Sequence, residues 1–376
     1  MPSRRRHSVA FAVLVTVAML LGTVVMAFVL LSSGAPDAIA WGILLAALPV
    51  GPLVACFLWL DRYEPEPRGL LLAALGWGAL VATSAALVLQ VVDMYVFARP
   101  ETMSAALVAP VTEEAAKGAF ILLLLWTRRH VLDGVLDGVV YAGMIGVGFA
   151  FTENILYYSA AYIGDGLGPA GLEGATATFV IRGIFSPFAH PLFTIFVGIG
   201  IGLAVQTRSR GVRVLAPVVG YALAVVTHAL WNASAYVGDG AFFFVAYLFL
   251  MVPAFLVVVA LSLWVRRREG VMLARALGDC VQRGFVLPGE VPWLVRLPAR
   301  RAARRHAREV GGDTGVEALQ DFQTAAIELG FLHDRYLRGV PPPAFAERGQ
   351  ALVERLAALR PAVPLPAPTP TVGSTR

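Results

Sequence analysis

Residues 103–126 read MSAALVAPVTEEAAKGAFILLLLW, a stretch long and apolar enough to cross a bilayer except that Glu113, Glu114 and Lys117 stand in its middle. Lys117 is the only lysine in the chain. Each ionisable residue at the centre of a membrane helix costs about 2.5–3.5 kcal/mol, so three together are expensive. On a helix Glu113 and Lys117 are i,i+4 neighbours in the favourable order, and Glu114 lies i,i+3 from the same lysine. One ion pair neutralises itself and leaves a carboxylate in surplus. Polar chemistry kept in lipid beyond what pairing needs marks a functional site.

The surrounding sequence puts this stretch in a polytopic membrane protein. Of the 376 residues 58% are hydrophobic and 15% charged, and the mean hydropathy is +0.72, far above a soluble domain. Eight apolar blocks reach the roughly 20 residues needed for a span: about 9–31, 38–60, 69–92, 103–126, 139–160, 176–206, 214–236 and 241–265. The first is too long for a signal-peptide core and lacks a clear cleavage site, so it reads as a retained anchor. Arginine sets the orientation. With eight spans, Arg4 to Arg6, Arg62, Arg68, Arg128, Arg129, Arg208, Arg210, Arg213 and Arg266 to Arg268 all fall on one side, and the alternate loops hold only Arg99. Both termini are therefore expected in the cytoplasm, in an inner membrane. The formal charge of +5 is spent on topology, which speaks against a nucleic-acid partner. Cys56 and Cys280 stand in unrelated settings and suggest neither a bridge nor a metal knuckle. Arginine in place of lysine, with much Ala, Val and Gly, hints at a high-GC bacterial genome.

The fold class expected is all-α: a bundle of about eight spans with a small helical cytoplasmic tail. An anchor span covers 1–37, a membrane core 38–268, a tail 269–360 and a Pro/Thr/Ser-rich disordered end 361–376. In the tail, 315–338 and 344–360 read as amphipathic helices, and the basic run Arg300 to Arg308 reads as a patch facing anionic lipid.

Other spans also carry polar residues. Glu153 and Asn154 lie in block five, Arg182 and His190 in block six, and His228 and Asn232 in block seven. At 1.5 Å per residue, Glu113, Glu153 and His228 fall about 12–17 Å below the non-cytoplasmic surface, with His190 near the middle of a long block broken by Pro187 and Pro191. Agreement in depth is what a site needs. A carboxylate beside a cation and imidazoles can take a proton from water. Histidines can instead hold a metal that acidifies bound water. His228 and Asn232, at i,i+4, could polarise a peptide carbonyl. A His-Glu-x-x-His zinc helix is absent, as is a Gly-x-Ser-x-Gly within a span. Some of these residues also have plain structural readings: Arg182 pairing with Glu173 or another glutamate, Asn154 as a helix–helix hydrogen bond, Asp133 and Asp137 as a solvated cytoplasmic turn and helix start, and 61–68 as a rigid loop. Two rivals to hydrolysis are an ion- or proton-coupled transporter, against which no inverted repeat is seen, and a non-catalytic membrane scaffold.

Six motifs in order, DRYEPEP (61–67), PVTEEAAK (110–117), DGVVYAG (137–143), GFAFTEN (148–154), HPLFT (190–194) and HALWN (228–232), together resemble the PrsW family of intramembrane proteases, relatives of the CAAX-processing and bacteriocin-immunity membrane proteases. The resemblance covers about residues 40–265. It implies an intramembrane endopeptidase acting on single-span membrane proteins, anti-sigma factors being the substrate class of the best-known relative. It makes Glu113 the water-activating base, shaped by Glu114 and Lys117. Glu153 stands where the CAAX branch has a histidine, and His190, His228 and Asn232 hold water or metal and the scissile carbonyl. Glu113, Glu114, Glu153, His190 and His228 are thus the catalytic candidates, supported by Lys117, Asn232, Arg182 and Asn154. The implied cofactor is either a divalent metal such as zinc on His190, His228 and Glu153, or none.

Overall fold

The computed structural model describes residues 2–128, 131–166, 168–237, 241–342 and 344–366, with backbone only for 2–8 and 101. Of the arginines that set the expected orientation, Arg129 and the side chains of Arg4 to Arg6 therefore lie outside the description, as does most of the expected disordered end, 367–376. All regular structure among the described residues is helical. The chain divides into two compact units, one of Met1–Asp61 and Glu66–Ser262, the other of Arg62–Pro65 and Leu263–Arg376.

Seven helices are long and apolar enough to cross a membrane. They are α1 (Val9–Ser32 within the helix Pro2–Ser32), α2 (Pro36–Leu60), α3 (Arg68–Phe97), α5 (Val135–Ile163), α6 (Leu172–Gln206), α7 (Arg210–Ser234) and α8 (Ala241–Gln282). The remaining expected block is α4 (Ala109–Arg128). At 20 residues it is about 30 Å long, and Glu113, Glu114 and Lys117 are what take it out of the plainly apolar class. The protein is a multi-pass membrane protein.

α5 is the centre of the first unit. From Val135 to Ala150 every residue is buried, as expected of a helix apolar on all sides. The outer helix α1 instead turns apolar side chains outward, Leu20, Val24 and Phe28 being more than 60% exposed. Glycine sets how close the neighbours of α5 come: a Cβ on Gly146 would stand 2.5 Å from Pro191 Cα. That approach brings α6 against α5 beside His190.

α6 is interrupted where its prolines predict. A π-helical turn, Val180–Phe185, ends at Ser186, and an α-helix restarts at Ala189. Pro191 falls in the first turn of the restart, where a missing N–H costs nothing. Ser186 closes the turn on Ile181 O twice, through its backbone N–H at 3.1 Å and its Oγ at 2.8 Å.

Asp137 stands at the expected helix start but is not solvated. It is 8% exposed, and its Oδ2 accepts from the backbone N–H of Asp133 and Gly134, each at 2.8 Å. The carboxylate therefore starts α5 from inside, satisfying donors at the helix end. At the 61–67 loop, Asp61 Oδ2 accepts from Glu66 N–H at 2.8 Å, and the Tyr141 hydroxyl donates to Glu66 Oε2 at 2.7 Å.

The second unit has its own core, including Leu273, Leu277, Phe322, Leu332 and Leu356. It comprises the C-terminal part of α8, α9 (Pro292–Val295), α10 (Leu297–Leu337) and α11 (Phe345–Leu359). α10 kinks at Gly312, whose φ of 59° and ψ of −151° are not helical. The packed part runs past Pro361: Val363 and Leu365 lie against apolar clusters of this unit.

Candidate active site

Within the first unit, α4, α5, α6 and α7 bring six predicted residues together. Lys117 is the hub and is wholly buried. Its ammonium donates to Glu114 Oε1 at 2.8 Å and Glu113 Oε2 at 3.3 Å, and lies 3.1 Å from His190 Nδ1. The Phe149 ring covers it at 3.7 Å, a cation–π contact made stronger by exclusion of water. As a donor to Nδ1, the ammonium leaves the His190 proton on Nε2, which donates to Glu153 Oε2 at 2.7 Å.

Glu113 and Glu114, adjacent in sequence, have different surroundings. Glu114 is fully committed. Besides Lys117 it takes the Thr194 hydroxyl at 3.0 Å on Oε2 and His228 Nδ1 at 3.0 Å on Oε1. With Nδ1–H given to Glu114, His228 turns Nε2 toward Glu113 Oε2, 3.8 Å away. Phe193 stacks on the His228 ring at 4.6 Å and 14°. Glu113 has looser bonds, including one from Gln90 Nε2 at 3.5 Å, and it faces a cavity of about 260 Å³. That cavity is also lined by Gln90, Ala105, Phe149, Glu153 and Asn232. Glu113 and Glu153 are the two carboxylates on its wall.

Arg182 resolves the choice left by the sequence: it pairs with Glu153 rather than Glu173, and its Nε donates to Asn154 Oδ1 at 2.7 Å. Asn154 thus makes the expected helix–helix hydrogen bond. Asn232 lines the cavity, but its amide donates to Ala105 O at 2.9 Å and it has no part in the charge cluster.

A metal would find a different ligand set from the one expected. Glu113, His190 and His228 each offer an atom within 4.8 Å of the others, and all three are buried. Glu153, expected third, is held by Arg182. Two imidazoles and a carboxylate are a donor set suited to catalytic zinc. The Glu114–His228 hydrogen bond supplies the outer partner that fixes a ligating ring. The residues fit a divalent cation, with the condition that His190 exchange its bond to Glu153 or Lys117 for the ion.

Thr194, Gln90, Phe149 and Phe193 were not singled out from sequence. Thr194 lies one helical turn beyond His190 within HPLFT, and Gln90 is a polar side chain in the apolar third block, so both had a signal. Phe149 and Phe193 lie inside GFAFTEN and HPLFT, motifs that gave their rings no role.

A multi-pass helical membrane protein with buried carboxylates, a lysine and two histidines converging beside a cavity belongs to the class built for chemistry inside the bilayer. Residues 66–258 match the family described as PrsW family intramembrane metalloprotease, and the chain belongs to that family. It is also similar to Protease PrsW of Geobacillus kaustophilus (strain HTA426), with 26% identity over 152 residues, 40% of this chain and 61% of that protein. No solved structure matches the chain.

Proposed function

We propose that this protein is an intramembrane endopeptidase that hydrolyses a peptide bond in or near the span of a single-pass membrane protein. The observation that carries the reading is the convergence of Glu113, His190 and His228, buried and within 4.8 Å of one another, with Glu113 opening on a cavity. Family membership supports the same chemistry.

Glu113 is the base in this reading because it faces the cavity, whereas Glu114 is bonded to Lys117, His228 and Thr194. Glu114 positions His228, and Lys117 balances the two carboxylates. A water on the cavity wall gives its proton to Glu113 as it attacks the scissile carbonyl, and the leaving amine takes that proton back. Glu153, held by Arg182 and His190, also lines the cavity. Glu113, His190 and His228 would hold a divalent cation, which when bound supplies a Lewis acid and lowers the pKa of water. In that case Glu153 is the cavity carboxylate left to carry the proton.

Both termini are placed in the cytoplasm of an inner membrane, following the arginine distribution. Glu153 lies ten residues before the Ile163 end of α5, about 15 Å, so the cut falls in the non-cytoplasmic half of the substrate's span. Anti-sigma factors are the substrate class suggested by the sequence resemblance.

The test is cleavage of co-expressed single-span proteins by wild type, Glu113→Gln and His228→Ala, with and without chelator. Loss in both variants with chelator sensitivity establishes the metal-dependent form. Loss without chelator sensitivity assigns the water to Glu113 alone. Products that persist in both variants sink the proposal, and a product terminus at the cytoplasmic end sinks the placement of the cut.

A further inference from the structure

The second unit carries a charge pattern that proteolysis does not use. From Arg296 to Arg308 there are six arginines and no acidic residue, and from Glu309 to Asp334 there are six acidic residues and no lysine or arginine. The change of sign falls beside the kink at Gly312. α10 is thus a basic arm followed by an acidic one. On the basic arm Arg301, Arg305 and Arg308 are exposed at i, i+4 and i+7, one stripe of the helix.

The unit itself fixes where this stripe stands. Leu263–Val265 close the unbroken apolar run of α8, and Trp264 is 53% exposed, as suits an aromatic residue at a membrane–water interface. Arg266 follows at once, with its guanidinium 5.6 Å from the Tyr63 ring centre. Arg300 returns to the same ring at the same 5.6 Å, and its Nη1 donates to Tyr63 O at 3.0 Å. The first turns of α10 are therefore level with Arg266, where the apolar part of α8 has just ended.

Arg300 supplies a second, independent pointer. It is 2% exposed, its bonds go to carbonyl oxygens of Leu294, Arg62 and Tyr63, and its Nη2 is buried without a partner among the described residues. Buried charges are normally paired. Burial and the neighbouring Arg304 hold the guanidinium down at about 10, the behaviour of a cation short of negative charge. Its field adds to that of the exposed stripe in a region of low dielectric.

We propose that the basic arm of α10, through Arg301, Arg305 and Arg308, binds the phosphates of anionic lipid headgroups and holds the second unit to the membrane surface, with the acidic arm turned away. The occupant is the lipid surface because the stripe stands at the end of a span, where headgroup phosphates are at their densest.

Amide hydrogen exchange on the full chain in nanodiscs tests this. With phosphatidylglycerol present, amides of 297–308 should exchange at least tenfold more slowly than in phosphatidylcholine alone, and 0.5 M salt should erase the difference. Arg301→Glu/Arg305→Glu should lose the lipid effect while amides of 322–332 keep wild-type rates, showing that the unit still folds. If those core amides speed up, Arg301→Gln/Arg305→Gln takes the variant's place. Equal rates in both lipids overturn the proposal. Equal slowing by inorganic phosphate in phosphatidylcholine also overturns it, by assigning a free-phosphate site.

Discussion

Glu113, Glu114 and Glu153 lie inside the spanning helices beside Lys117, Arg182 and two histidines. Asp61 and Glu66 are as well buried, at 6% and 8% exposed, but lie at the ends of α2 and α3. Asp61 accepts from a backbone N–H and Glu66 from a tyrosine hydroxyl. Water is the difference. At mid-membrane a carboxylate has no bulk solvent from which to take a proton cheaply, so the fold supplies counter-charges. Asp93, 3% exposed and near the Phe97 end of α3, is the exception: it too is given a counter-charge, Arg99 at 2.7 Å. Near the surface the fold lets burial act instead: the Asp61 carboxyl is pushed up to about 7. Glu66 is pushed well above the ordinary range by burial and by Asp137, against the pull of Tyr141. Ionic partners surround the carboxylates of the cluster, whereas a backbone N–H and a phenol serve those of the 61–67 loop.

Four measurements press on this contrast. Glu113→Gln keeps the shape of the cluster and removes its base, so the cleavage rate should fall by about 10²–10⁴ while the thermal transition in detergent is retained. A variant that still cleaves would leave Glu113 a structural partner of Lys117. Lys117→Met strands two carboxylates without their cation and should cost about 3–5 kcal/mol of stability by denaturation in detergent; an unchanged midpoint would show that the cluster is neutral without the lysine. Asp61→Asn should change a pH dependence. The folded carboxyl titrates near 7 against about 3.9 when unfolded. Its contribution is therefore fully present below about pH 4 and lost as pH rises through about 7, on the order of 4 kcal/mol. The variant should flatten that decline, and an identical stability–pH curve would place the titration elsewhere. Tyr141→Phe removes one donor from Glu66 and should cost about 1 kcal/mol, read as a small midpoint shift with cleavage intact.

Much of this was legible because the bilayer makes polar residues conspicuous. Glu113, Glu114, Lys117, Glu153, His190 and His228 stood out as costly residues at matching depth, and they do meet. Pro187 and Pro191 announced the break in α6, since proline cannot continue a hydrogen-bonded helix. The partner choices were hidden. Helical spacing says which side chains share a face, but nothing in it tells that Arg182 takes Glu153, so the metal-capable set contains Glu113 instead. Asp137 read as solvated because Asp-Gly looks like a turn; its burial depends on helices far away in sequence. Asn232, paired with His228 by spacing, spends its amide on Ala105 O.

The close approach of α5 and α6 has one more consequence. The distance between the helix of Glu153 and the helix of His190 is gauged by Gly146, where the next carbon atom would stand 2.5 Å from Pro191 Cα. A residue with no functional group therefore acts as the spacer of the reactive pair, and Gly146→Ala should silence the site by wedging it open while leaving every acid, base and imidazole in the sequence untouched.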